Sequence, residues 1–143
     1  MEASFELFDH TADIGIRAQA ATLPELVTVA GDGLYAVIGD LVPSPTAVGE
    51  PRDLKIELHH ADSAVLLRDY LDELLVLFDR DHRMVTVANV CTFGEGRLVA
   101  MLETALVDQK RSVYQHEVKA ITYHELDIRP IPGGFEVSVI VDI

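Results

Sequence analysis

The residues best suited to chemistry are carboxylates near the two ends of the chain. Asp13 lies between the polar corner His10-Thr11-Ala12 and a strand-like stretch. Asp142 is the penultimate residue, and the α-carboxylate of Ile143 would stand beside it. Two oxygen donors from one terminus, joined by a third carboxylate from elsewhere, make a hard-cation site for Ca²⁺ or Mg²⁺. The plain alternative is a solvated terminal Asp, since Asp is mostly exposed in folded proteins. Six histidines raise zinc as a second chemistry. His59 and His60 are adjacent on an expected strand, so they point to opposite faces. His116 and His124 share strand parity, but on a continuous strand they would lie about 26 Å apart at about 3.3 Å per residue. Neither pair makes a zinc site by itself, and ordinary surface or hydrogen-bonded histidines are expected. Cys91 sits in a Val/Thr strand pattern and reads as a small core residue, not a nucleophile. The chain has no phosphate-cradling Gly-rich loop, no Gly-x-Ser-x-Gly, no His-Glu-x-x-His and no Cys-x-x-Cys.

These residues need elements to position them. Residues 4–9 are short and mixed. From Ile14 to Gln19 apolar residues alternate with polar ones or glycine, which is strand period, with Ile14, Ile16 and Ala18 on one face. Thr22-Leu23-Pro24-Glu25 has the spacing of a capping box, with Glu25 placed to reach back to the cap residue. Leu26, Val29, Ala30, Leu34, Val37 and Ile38 follow at helical spacing, and Gly39 is the expected stop. Pro43, Pro45, Gly49 and Pro51 mark a loop over residues 42–51. Leu54, Ile56 and Leu58 alternate with Lys55, Glu57 and His59 in a second strand.

Asp62 or Ser63 can cap a second helix, with its apolar stripe running from Leu66 to Phe78. That helix is expected to end before Asp79. A strand over residues 84–93, the turn Gly94-Glu95-Gly96 and the alternating Leu98, Ala100 and Leu102 predict a hairpin. Residues 103–116 have no clear period. Residues 117–128 are a strand candidate, residues 130–134 a turn, and residues 135–141 the last strand. Two helices and about seven strands predict an α+β fold, a two-layer sandwich of helices on one face of a mainly antiparallel sheet. We read residues 1–143 as a single domain, with room for a small inserted β subdomain over about 84–117.

Composition bounds the function. At 143 residues with 49% apolar side chains, the chain can bury a real core and is not a disordered acidic tail. Its longest uncharged apolar run, Leu74–Phe78, is far short of the roughly 20 residues that span a bilayer. No secretory signal opens the chain and one cysteine cannot form an internal disulfide, so a cytoplasmic protein is expected. The formal net charge is −13, and the basic residues are scattered. Direct nucleic-acid binding is therefore not expected, because it needs a basic face. A cation or a protein with a basic surface fits this field better.

Four segments then carry a family resemblance: His10-Thr11-Ala12-Asp13-Ile14-Gly15-Ile16, Leu71 through Asp79, Val118-Lys119-Ala120-Ile121-Thr122-Tyr123-His124, and the final Val141-Asp142-Ile143. In this order and across the whole chain they resemble the archease family. Residues 103–116 depart from the family pattern, which tends to have Gly-Glu and a His-bearing polar loop there. The resemblance implies a non-enzymatic activator of the GTP-dependent RNA ligase that seals tRNA exon halves. Such a protein promotes guanylylation of the ligase histidine and repeated turnover. It also implies a divalent-cation site made by Asp13, Asp142 and the carboxylate or carbonyl of Ile143.

Around that site, His10, Lys119, Thr122, Tyr123 and His124 either face the partner or hold a buried polar network. Asp40, just after the first helix, either adds acidity near the cation or is a solvated helix-end residue. Two other readings stand beside this one. The first is a small metal-dependent hydrolase using the same carboxylates with His10 or His124 as general base. The second is a chaperone-like binder whose acidic ends only keep it soluble.

Overall fold

The computed structural model describes residues 1–45 and 51–143. Its chain order is β1 (Ser4–His10), β2 (Asp13–Ala20), α1 (Leu23–Ile38), β3 (Gly39–Asp40), β4 (Arg52–His59), α2 (Ser63–Asp81), β5 (Arg83–Gly94), β6 (Arg97–Leu106), β7 (Val113–Tyr114), β8 (Ala120–Ile121), β9 (Ile128–Ile131) and β10 (Gly134–Asp142). The class is α+β. The strands form three ladders rather than one sheet: β1-β2-β10-β8 with β9 also on β10, β4-β6-β5, and the short pair β3-β7. Every described pairing of named strands is antiparallel.

α1 begins where its sequence places it. The Thr22 hydroxyl accepts from the Glu25 amide at 3.3 Å. The Glu25 carboxylate accepts from that same hydroxyl at 2.9 Å, so the box closes through side chains and not through the Thr22 amide. Gly39 caps the other end, with its N–H donating to the Tyr35 carbonyl. Mid-helix glycine costs roughly 1 kcal/mol relative to alanine. Here Gly33 lets the helix settle on Ile16 of β2, and Gly31 lets it approach Leu74 of α2. The Tyr35 hydroxyl accepts from the Val85 amide at 2.9 Å, and burial pushes its phenol up to about 12. α1 therefore touches both β2 and β5, and α2 touches β4, β5, β6 and β8. One apolar cluster runs through both ladders, joining Ile16, Val137 and Val139 to Leu34, Leu71, Leu98 and Ala100. The hairpin β5–β6 shares this cluster, and its ladder is completed by β4 from the other side of α2.

Several expectations change. α2 does not stop before Asp79 but runs to Asp81. His82 takes a left-handed φ of 53°, and its N–H reaches the carbonyls of Leu77 and Phe78, which closes the last turn. Of the loop expected over 42–51, residues 46–50 lie outside the described residues, and Pro43 forms an isolated bridge with Val107. Residues 103–106, which showed no clear period, continue β6.

Residues 117–128 are not one strand: Ala120–Ile121 pairs with β10, the chain then turns at Tyr123–Leu126, and Ile128 pairs again as the first residue of β9. The expected turn over 130–134 is narrower, since Pro130 and Ile131 belong to β9 opposite Phe135 and Gly134. Cys91 is exposed, not buried. The β5–β6 register slips between Val90 and Thr92, and the extra residue at that bulge leaves the core-facing alternation.

Candidate functional site

Strand register brings the two ends of the chain together. β1 and β2 pair so that His10 stands opposite Asp13 across the two-residue turn Thr11-Ala12. Ala12 holds a φ of 68°, a left-handed conformation that alanine rarely adopts. β10 runs along the other side of β2 with Val141 opposite Ile14. The next step of that register sets Asp142 opposite Asp13. On its far side, Asp142 is opposite Ala120 of β8.

Residues directly opposite in an antiparallel ladder share a face. His10, Asp13, Asp142 and Ala120 thus form one row across four strands. The row ends the sheet on the face away from α1. Successive rows continue this outer face with Phe8, Gly15 and Ile140, then Glu6, Arg17 and Ser138.

The row is acidic and partly buried. His10 Nδ1 lies 3.9 Å from Asp13 Oδ2, too long for a hydrogen bond. This buried nitrogen has no hydrogen-bond partner among the described residues. No Lys or Arg among the described residues pairs with Asp13 or Asp142. Two carboxylates opposite each other without a cation repel. Oxygen donors of this kind suit a hard cation, with a main-chain oxygen of Ile143 and water to complete its shell. Among the described residues, no three His, Cys, Asp or Glu side chains converge as a ready cage. Any side-chain oxygens for a cation in this row would be those of Asp13 and Asp142.

The Lys119–His124 segment packs beside this row. The Lys119 amide donates to the Asp142 carbonyl at 2.8 Å. The Thr122 amide and hydroxyl both donate to the Ile140 carbonyl, at 3.0 and 2.9 Å. The His124 amide donates back to the Thr122 hydroxyl at 3.3 Å. The polar network is thus centred on Thr122. Lys119, Tyr123 and His124 are exposed. The His124 ring stands 5.3 Å from the His10 ring.

Strand parity does not apply here, because the segment is a turn after Ile121. Asp40 is exposed and pairs through its backbone with Val113. It follows α1, which runs back along β2, so it lies at the same end of the sheet as Asp13. His59, His60 and His116 are exposed and gather no metal cluster.

Sequence reasoning missed two parts of this site. Arg68 of α2 donates to the Ile121 carbonyl at 3.0 Å, pairs with Asp69, and lies 4.4 Å over the Tyr123 ring. In the sequence it is only one of several polar-face residues of α2. The second is a cavity of about 440 Å³ on the outer face, where His10 and His124 meet Phe8, Arg17, Arg129 and Ser138. Arg17 covers the Phe8 ring at 4.6 Å and pairs with Glu6, while Arg129 pairs with Glu136. Only the β-strand register reveals this grouping.

The chain has known relatives by sequence and by shape. Residues 5–143 match the model of the Archease protein family (MTH1598/TM1083). Protein archease of Thermococcus gammatolerans is 35% identical over 134 residues, covering 91% of each chain. Protein archease of Methanosarcina barkeri is 34% identical over 145 residues, covering 97% of this chain and 95% of its own. The solution structure of Methanobacterium thermoautotrophicum protein 1598 superposes with a TM-score of 0.73 at 27% identity, over 97% of this chain and 98% of that one. A Thermotoga maritima crystal structure described as an archease, possible chaperone, shares the fold with a TM-score of 0.68 at 16% identity, over 95% and 94% of the two chains. The chain belongs to the archease family.

Proposed function

We propose that this chain is a non-enzymatic activator of a GTP-dependent RNA ligase of the tRNA-splicing type, and that Asp13, Asp142 and a main-chain oxygen of Ile143 hold a divalent cation, Ca²⁺ or Mg²⁺/Mn²⁺. The observation that supports the reading is the β2–β10 register, which ends at Val141 opposite Ile14 and, carried one residue on, sets Asp142 opposite Asp13, with no basic side chain among the described residues paired to either. A cation bound there would neutralise the two carboxylates and supply a hard positive charge at the surface. The protein's own residues do the rest. Thr122 fixes the turn, His10 braces the ring of His124, and the exposed Lys119, Tyr123 and His124 present a contact surface beside the row. Asp40 extends the acidic field at that end. A net charge of −13 lets such a helper approach a basic ligase cleft without gripping its RNA.

The test combines purified ligase with this protein at substoichiometric amounts and follows ligase guanylylation and multiple-turnover sealing. Stimulation by the parent protein, lost in Asp142→Ala, is the expected result. A parent protein that leaves both rates unchanged overturns the reading.

A further inference from the structure

We propose that the open edge of β4 is a self-complementary interface, and that two copies of this chain pair there as an antiparallel dimer. β4 is an edge strand: it pairs with β6 on one side and with no strand among the described residues on the other. A groove of about 360 Å³ runs along it, bounded on its far side by Glu73, Val76 and Arg80 of α2. Every residue from Arg52 to Leu58 lines this groove. A cavity on a sheet face takes alternate residues of a strand, as the outer-face cavity takes Phe8 and His10 of β1. Seven consecutive residues of β4 in one lining place this groove along the strand's edge, and Thr104 of β6 with Arg83 of β5 line it at the Arg52 end.

The hydrogen-bonding phase of that edge is fixed. The His60 amide donates to the Gly96 carbonyl, and the β4–β6 register continues from His59 opposite Arg97. Hydrogen-bonded pairs alternate along an antiparallel ladder. Leu54, Ile56 and Leu58 therefore bond inward to β6, while Asp53, Lys55, Glu57 and His59 turn their N–H and C=O groups to the open edge. The same four residues point their side chains to solvent.

The other edge of this ladder, β5, carries two register breaks that spoil it as a template. β4 has no such break.

The occupant follows from charge and register. A two-fold axis at Ile56 sets Lys55 opposite Glu57 of the second copy, Asp53 opposite His59, and Leu54 opposite Leu58. All four outward-bonding residues then meet outward-bonding residues, as an antiparallel ladder demands. Every charged pair across the axis is opposite in sign or neutral; within one chain Glu57 already meets Lys55, His59 and Arg97, so the second copy's Lys55 joins that cluster. The stripe on α2 repeats the pattern: an antiparallel neighbour puts Glu73 beside Arg80, with the exposed Val76 between them. The C2 interface so formed is isologous and closed.

Sedimentation of the full chain at about 150 mM salt, where the Debye length is about 8 Å, tests the pairing with little interference from the overall charge. The parent is expected to sediment as a dimer at high concentration. Lys55→Glu sets Glu against Glu twice, and Glu57→Lys sets Lys against Lys twice. Each variant alone is expected to dimerise at least about tenfold more weakly. An equimolar mixture of the two restores opposite charges at both pairs and is expected to regain the parent's association.

Amide exchange of the parent gives a readout that needs no variant: Lys55 and Glu57 amides are expected to slow with rising protein concentration. A parent that stays monomeric, variants that dimerise as the parent does, a mixture that stays apart, or Lys55 and Glu57 amides that ignore concentration would each overturn the interface.

Discussion

Thr122 separates what holds the site from what the site presents. Its hydroxyl donates to the Ile140 carbonyl and accepts from the His124 amide, so it ties the turn to β10 two residues before Asp142. Thr122→Val keeps the shape and removes both bonds. A net hydrogen bond contributes about 1 kcal/mol, and urea unfolding is expected to show a loss of about 1–2 kcal/mol. Tyr123 behaves differently. It is 58% exposed, and the Arg68 guanidinium lies 4.4 Å over its ring. Tyr123→Ala is expected to change stability by no more than about 0.5 kcal/mol. On the proposed function it lowers ligase stimulation while unfolding stays near that of the parent. Unaltered stimulation in Tyr123→Ala would remove this side chain from the docking surface.

At the scale of elements, the helices are held by their ends. Thr22→Ala removes the acceptor for the Glu25 amide and is expected to destabilise the protein by about 1 kcal/mol. The last turn of α2 carries the opposite sign. Asp79 stands in the last turn of α2, where the free carbonyls form the negative end of the helix dipole. Burial, then the nearby Glu117, raises its carboxyl above the usual 3.8, while His82 works the other way. The sign follows from the raised folded value. The charged carboxylate opposes folding at neutral pH, and the penalty vanishes below the ordinary value, where both states are protonated. Asp79→Asn is therefore expected to stabilise the protein at pH 7 by about 0.5 kcal/mol, given its solvent screening. The gain should disappear near pH 3. A thermal-denaturation series against pH that shows a pH-independent gain would trace it to something other than this charge.

The same elements show what the sequence could carry. α1 was legible because Thr22, Glu25 and Gly39 mark both ends. β2, β4 and β10 were legible because one face of each is buried. β7, β8 and β9 were not, since pairs as short as Ala120–Ile121 are set by their neighbour β10 and carry no period of their own. Asp13 and Asp142 could be picked out as residues, but their opposition depends on the register of β2 against β10, which no local pattern encodes.

For the whole molecule the governing quantity is the charge of −13. A chain this acidic repels itself when folded, so added salt of any kind is expected to raise its melting temperature by screening. A specific cation site predicts more than screening. A ligand that binds only the folded state stabilises it by about 2.7 kcal/mol at one hundred times its dissociation constant. For a domain of this size, each kcal/mol moves the melting point by about 3 °C. At equal ionic strength, CaCl₂ or MgCl₂ should thus raise the melting temperature by about 8 °C beyond NaCl. Removing either carboxylate also removes part of the native-state repulsion, so Asp13→Asn and Asp142→Asn should each melt higher than the parent in NaCl. They should also lose the extra gain from the divalent salt. That crossing of effects, more stable without the cation and less responsive to it, distinguishes a bound ion from general screening. Parent and variants that gain equally from CaCl₂, MgCl₂ and NaCl would leave the two aspartates as solvated surface charges.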